Sequence, residues 1–308
     1  MTATTVQPGQ IAEGGAIRRM RGWMANPWGQ TRFLWVFAWL FAIWSIVPVA
    51  LAIMFSFNAG RSRSTWQGFS TRWYWSDPRS VVNDESLLAA LGQSLRLAAI
   101  TMLIATPIGV ALAIGLARWR GRGAKPAAFL MTLPLVTPEI VMGVSLFLVF
   151  GYLYDFIPFG TPAQALGHIT FTISFVVIIV RGRLFAIGRD YEEAAMDLGA
   201  SQWGAIRRVL LPMLSPAIFA SLAIAFALSI DDFVISMFLT SDASSMTVPV
   251  KLYSAIRNAP PPSLNALASI MLAVTVLAVS VATIVMKRGK KRTGEGGSAM
   301  ETLVQMEI

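Results

Sequence analysis

The run from Asp190 to Thr240 reads DYEEAAMDLGASQWGAIRRVLLPMLSPAIFASLAIAFALSIDDFVISMFLT. Its first part, 190–212, is charged and punctuated by glycine. The rest is 28 almost uninterrupted apolar residues, Met213–Thr240. A helix crossing a hydrocarbon core of about 30 Å needs about 20 such residues. The same signal recurs along the chain, and six spans are expected: Phe33–Phe57, Leu91–Ala117, Pro126–Leu153, Ile169–Phe185, Met213–Thr240 and Leu264–Met286. The second is interrupted by Arg96 and the third by Glu139, and the fourth is the shortest. The fold class expected is all-α and polytopic, with a six-helix transmembrane domain over residues 33–286 between tails at 1–32 and 287–308.

Composition agrees. The 308 residues are 55% hydrophobic and 13% charged, against about 25% charged in an ordinary soluble domain. Mean hydropathy is +0.62. With no cysteine and one histidine, His168, thiolate catalysis, disulfide frameworks and cysteine-ligated metal centres are excluded. The net charge of +9 suits basic loops facing the cytoplasm better than nucleic acid. Between the spans, 18 Lys and Arg fall on one side, including Arg18, Arg19, Arg21, Arg118, Arg120, Arg181, Arg189 and Lys287. Six fall on the other: Arg61, Arg63, Arg72, Arg79, Lys251 and Arg257. The rule that basic loops stay inside then puts both termini in the cytoplasm. The first span is too long for a signal-peptide core, so it is expected to be an uncleaved helix.

The charged segment 190–212 has a helix-turn-helix pattern. Asp190 is placed to cap a helix, with Glu193 at the reciprocal position. Tyr191, Ala194, Ala195 and Leu198 share one face. Gly199 supplies a left-handed stop, and Ser201 caps a second helix with Ile206, Val209 and Leu210 inward.

In the first loop on the opposite side, Trp66, Phe69, Trp73, Tyr74 and Trp75 fit two readings, an interfacial aromatic belt and a docking surface; the last such loop is 241–263. Val248, Leu252, Tyr253 and Ile256 predict a short interfacial helix, stopped by Pro260-Pro261-Pro262.

Carboxylates inside spans are expensive and default to function. Glu139 lies roughly 20 Å, and Asp231 roughly 27 Å, along straight helices from the cytoplasmic side. Glu139, Asp231 and Asp232 could line the path of an organic cation. Alternatively, Asp231 and Asp232 pair with Arg96 or cap a broken helix near Ser229–Asp232. Pro134 and Pro138 predict a kink, and His168 is expected at the membrane interface, at the head of the fourth span.

The spacing Glu193-Ala194-Ala195, three residues, Gly199, nine residues, Val209, one residue, Leu211-Pro212 resembles the EAA loop of binding-protein-dependent ABC importer permeases, with Val209 where isoleucine is usual. Further stretches resemble the permeases of spermidine/putrescine importers: Gln93 to Ala98 (QSLRLA), Pro134 to Val141 (PLVTPEIV), Glu192 to Gly199 (EEAAMDLG), Leu228 to Val234 (LSIDDFV) and Asn265 to Ala268 (NALA). Pro262-Ser263-Leu264-Asn265-Ala266 departs from that family's Pro-Glu-x-Asn-Ala by losing a carboxylate. The resemblance implies a type I ABC permease in the bacterial inner membrane. It implies that Glu193, Ala194, Ala195, Leu198 and Gly199 dock an ATPase. It also implies two copies of that ATPase, a second homologous permease, an extracytoplasmic binding protein and polyamine cargo.

ATP binding needs a G-x4-G-K-[ST] loop. The only Gly-Lys pair, Gly289-Lys290, lacks it. ATP and Mg are therefore expected on partner subunits, and no enzymatic activity or cofactor is expected here. Two alternatives stand beside this: an ABC permease for another small polar solute, and an ion-coupled secondary transporter, which would use the same carboxylates but would not need the EAA loop.

Overall fold

The computed structural model describes residues 32–62, 65–119, 121–256 and 261–292. Arg18, Arg19, Arg21, Arg63, Arg120, Arg257, Pro260 and the tail after Arg292 lie outside these. The described residues are helical, with one isolated antiparallel bridge between Asn58 and Phe69. The chain divides into two compact units, Met1–Met54 and Phe55–Ile308.

The first unit holds nearly all of α1, Arg32–Ser56. Its side chains are apolar all round and exposed, Trp35, Trp39 and Trp44 among them. A helix with no polar face is built for lipid or a protein interior.

The second unit is a bundle around α2 (Glu85–Arg118), α6 (Thr161–Ile187) and α9 (Leu211–Asp231). α2 begins six residues before the expected span because Asp84 caps it, accepting from the amides of Ser86 and Leu87. Small residues on α2 permit close packing: Ala98, Ala105 and Ala113 are fully buried. A methyl group on Gly109 would stand 2.6 Å from Val176 Cγ1. Helices in lipid gain most from such close approach.

The expected fourth span, Ile169–Phe185, is eight residues short at its start. α6 begins at Thr161, after Gly160 with φ +97° and with Pro162 in its first turn. Gln164, Gly167 and His168 lower the local hydropathy, yet all three are buried among other helices rather than facing lipid. His168 is thus not interfacial but 2% exposed, inside the bundle.

Among the described residues five helices are long and apolar enough to cross a membrane, or six if one bent pair is counted as a single span. That pair is α3 (Ala124–Leu130) with α4 (Leu133–Val136), followed by α5 (Glu139–Leu148) and a π-turn, Val149–Leu153. The two halves meet at 106°. Pro138 forces the turn: Thr137 before it is extended, φ −71°, ψ 127°, as the residue preceding proline prefers. The straight-helix depth expected for Glu139 therefore does not hold.

The fifth span is also broken. α8 (Gln202–Ala205) runs through a π-turn, Ile206–Leu210, into α9, making one helix from Gln202 to Asp231 rather than a helix followed by a separate span. After Asp232 and Phe233 the chain resumes as α10, Val234–Leu239. α5 packs directly on α10: a methyl on Gly143 would lie 2.7 Å from the Phe238 ring.

α11 (Val248–Ile256) is the short helix expected, anchored where the Val248 amide donates to Ser94 Oγ at 2.8 Å. α12, Ser263–Arg292, runs six residues past the expected end of its span. The segment before α2 splits the aromatic set. Trp73 is buried and donates its indole N–H to the Asn58 carbonyl at 2.6 Å, while Trp66, Phe69 and Trp75 are exposed. Beside Trp73, Arg72 and Asp77 form an ion pair that holds the Asp77 carboxyl below its ordinary pKa.

Candidate functional site

Two places gather the residues singled out by sequence. The first is α7, Asp190–Asp197, between α6 and α8. Its start differs from the capping box expected. Arg189 holds the cap position in a helical conformation without a side-chain bond, and Asp190 lies in the first turn. Asp190, Glu192 and Glu193 still favour that end through the helix dipole. The other end is as expected. Gly199 has φ +91°. The Gly199 amide donates to the Met196 carbonyl at 2.9 Å, and the Ala200 amide to the Ala195 carbonyl at 3.0 Å. These are the paired bonds of a Schellman stop. Ser201 then caps α8, accepting from the Gly204 amide at 3.1 Å.

The face of α7 with Tyr191, Ala194 and Leu198 turns away from the other described helices. Leu198 is 90% exposed, Glu193 and Ala194 are exposed and Ala195 is half-buried. The opposite face is fastened down. Glu192 forms a two-pronged ion pair with Arg118, the last residue of α2, with Nε to Oε2 at 3.2 Å. Arg189 donates to the Ala117 carbonyl at 3.1 Å, satisfying an open carbonyl at that helix end. Sequence reading missed this attachment. Arg118 counted only as a topology-setting charge, and nothing in spacing links it to a residue 74 positions on.

The second place is the break in the fifth span. Asp231 ends α9 and is exposed. Asp232 turns inward, with its side chain only 10% exposed. It accepts from the amides of Ser236 at 2.8 Å and Ile235 at 3.4 Å, and faces His168 Nε2 at 3.1 Å. The imidazole is held on both sides: Nδ1 lies 2.8 Å from Ser229 Oγ, and Nε2 lies 3.0 Å from Ser236 Oγ. Ser229 donates onward to Thr101 of α2 at 3.3 Å.

One turn before His168 on α6, the Gln164 amide group donates to the Ser236 carbonyl, Thr240 Oγ1 and the Ser245 carbonyl. Its oxygen accepts from Gln93 of α2 at 2.9 Å. Among the described residues, neither aspartate lies within ion-pair distance of Arg96, and the partner found for Asp232 is His168. Glu139 opens α5 and is exposed. Both broken spans therefore resume beside a carboxylate, and their second halves pack together.

An apolar groove of about 620 Å³ runs between α2 and the α8–α9 helix, lined by Leu103, Val110, Ile114, Trp203, Ile206 and Leu222 among others. None of the three acids lines it. Among the described residues no cluster of three or more His, Cys, Asp or Glu is placed to hold a metal ion.

The family model described as "Binding-protein-dependent transport system inner membrane component" matches residues 105–291. The putrescine transport system permease protein PotI of Escherichia coli K12 is 35% identical over 274 residues, covering 87% of this chain and 93% of the relative. The spermidine/putrescine transport system permease protein PotC of Shigella flexneri is 36% identical over 251 residues, covering 82% and 92%. Among solved structures, a bacterial ABC transporter involved in the import of the acidic polysaccharide alginate superposes with a TM-score of 0.65 at 16% identity, covering 87% of this chain and 99% of that one. That likeness carries the fold, and the sequence matches carry the kinship. With its apolar spans and the Glu193 to Pro212 loop, this chain belongs to the family of multi-pass inner-membrane permease components of binding-protein-dependent ABC importers.

Proposed function

We propose that the chain is one half of the membrane pathway of an ATP-driven importer that brings polyamines into the cytoplasm. Glu193, Ala194, Ala195, Leu198 and Gly199 dock an ATPase subunit, of which the complex holds two. A second, homologous permease completes the pathway, and an extracytoplasmic binding protein delivers the cargo. Residues 1–32 and 287–308 face the cytoplasm. ATP and Mg are bound by the partners.

The observation that carries this reading is α7. It is a short helix fastened to the bundle through Glu192 and stopped by Gly199, yet its apolar face has no cover among the described residues. An apolar face rimmed by charge marks a protein interface. A clamped helix passes on a push, which a loose loop would absorb. The polyamine cargo is supported by the 35% and 36% identity to permeases named for putrescine and spermidine. It is also supported by Glu139 and Asp231, exposed carboxylates that suit ammonium groups, with Asp232 behind them held inward by His168.

The test is reconstitution of the complete importer in proteoliposomes, with uptake of labelled putrescine and spermidine. ATP-dependent accumulation of either is expected. Accumulation of an anion such as sulfate, with neither polyamine carried, would overturn the cargo. A permease that purifies and transports without any ATPase would overturn the importer.

A further inference from the structure

We propose that His168 is a positioning residue for transport: by holding Asp232 inside the break of the fifth span, it leaves Asp231 as the carboxylate presented to the cation. This rests on the reading that Asp231 lies on the cargo's path.

The two aspartates are neighbours, and one alone is fastened. The backbone at Asp232 is extended, φ −62°, ψ 123°. Asp231 is the last residue of α9 and Asp232 the first beyond it; successive side chains at a helix end leave in different directions, so Asp232 can be fixed inward while Asp231 stays outside. The exposures agree, with Asp232 at 10% and Asp231 exposed. The inward choice has two sources. One is the pair of amides from Ile235 and Ser236, which lie on the same short helix and move with it. The other is His168, which belongs to α6 and ties the break to the bundle.

His168 is itself held between both halves of the broken span, with Ser229 on α9 and Ser236 on α10, and through Ser229 reaches Thr101 on α2. Without the imidazole, the Asp232 carboxylate, only 10% exposed, would keep no more than the two amide bonds, and a buried charge short of partners is expensive. It would then turn outward and compete with Asp231 for its position.

The experiment compares variants of the complete importer in proteoliposomes, supplied with saturating putrescine-loaded binding protein. It reads putrescine carried per ATP hydrolysed. A general packing defect lowers uptake and ATPase activity together and leaves that ratio alone. Asn at 168 places its amide near the Nδ1 position and can reach Ser229 but not Asp232. Gln places its amide near Nε2 and can keep the Asp232 side.

Asp231→Asn and His168→Asn are each expected to lower the ratio about tenfold, the scale of one hydrogen bond to a charged group. The double variant is expected to fall no lower than Asp231→Asn, because both act through one group. His168→Gln is expected to stay within about twofold of the parent. Equal losses for Asn and Gln at 168, or losses that multiply in the double variant, would overturn the positioning role. An unchanged ratio in Asp231→Asn would instead overturn the path reading beneath it. If His168→Asn fails to assemble, His168→Asn combined with Asp232→Asn decides, since it also removes the carboxylate that would turn outward: a ratio within about twofold of the parent supports the role, and a drop matching Asp231→Asn overturns it.

Discussion

The stop after α7 and the break after α9 are both interruptions of a helix, and they are finished in opposite ways. At Gly199 the backbone closes on itself with two amide bonds, and the side chains around it are left uncovered. At Asp232 the side chains do the closing: His168, Ser229, Ser236 and Gln164 fill one another's bonding positions, and little faces outward except Asp231. The difference follows from the surroundings. Water can satisfy a helix end at the membrane surface, whereas inside the bilayer each freed polar group needs a protein partner. An interruption that is finished by backbone alone leaves its side chains for another molecule. One finished by side chains spends them on the fold.

The contrast can be broken most severely at Gly199. With φ at +91°, Gly199→Asp strains the stop and places a carboxylate on the uncovered face. Transport is expected to fall at least about a hundredfold, with the protein still inserted in the membrane and the ATPase uncoupled. Gly199→Asn, which tolerates left-handed backbone and adds no charge, is expected to keep much more. Normal transport and coupling in Gly199→Asp would remove α7 from the docking role.

A middle-sized effect is expected where α7 is fastened. Arg118→Ala leaves Glu192 as a mostly buried carboxylate without its partner, and a loss of about 2 kcal/mol in stability is expected. This is less than for a fully buried pair because the Arg118 side chain is 20% exposed. Arg118→Ala combined with Glu192→Ala is expected to be more stable than Arg118→Ala alone, measured by thermal unfolding in detergent. If the double variant is the less stable, the ion pair is not what seats α7.

The smallest effect lies at the far loop, where a buried Asp77 meets a half-exposed Arg72. The Arg72 guanidinium, then the Arg79 amide, hold the Asp77 carboxyl below its ordinary value. A depressed folded-state pKa contributes stability that is complete above the unfolded value of about 3.9 and is lost as pH falls through the folded one. Exchange of the Val81 amide, which is bonded to the Trp73 carbonyl at 2.9 Å, should therefore be unchanged between pH 7 and 5 once corrected for intrinsic rate. It should lose protection only below about pH 4. Loss of protection already at pH 6 would show that another group controls this loop.

Hydropathy alone located most of the spans, because lipid-facing length is written in composition. It failed at the start of α6, where Gln164 and His168 look like residues at a membrane edge and are in fact inside the bundle. A window of hydropathy cannot tell a polar side chain facing water from one facing Ser236. Pro138 announced its kink, and the Ser229–Asp232 break was foreseen from a segment too long for one straight crossing. The partner of Asp232 was not. Arg96 was the nearer cation in charge terms, but it is exposed, and a histidine 64 residues upstream is brought in by helix packing alone. The Gly199 stop was legible because it is local. The Arg118–Glu192 attachment was not, because it depends on where two distant helix ends come to rest.

The length of α2 has a mechanical consequence. At 34 residues it measures about 50 Å, well beyond a bilayer core of about 30 Å. One end grips α7 through Arg118, and Thr101, about 25 Å away along the axis, meets the Ser229–His168 chain. The helix thus acts as a strut shared by both interruptions. A tilt of about 10° about Thr101 would swing the Arg118 end by roughly 4 Å over that lever arm. Pro107, between the two grips, offers no N–H to the carbonyl one turn earlier, so the strut is softest where such a load would bend it.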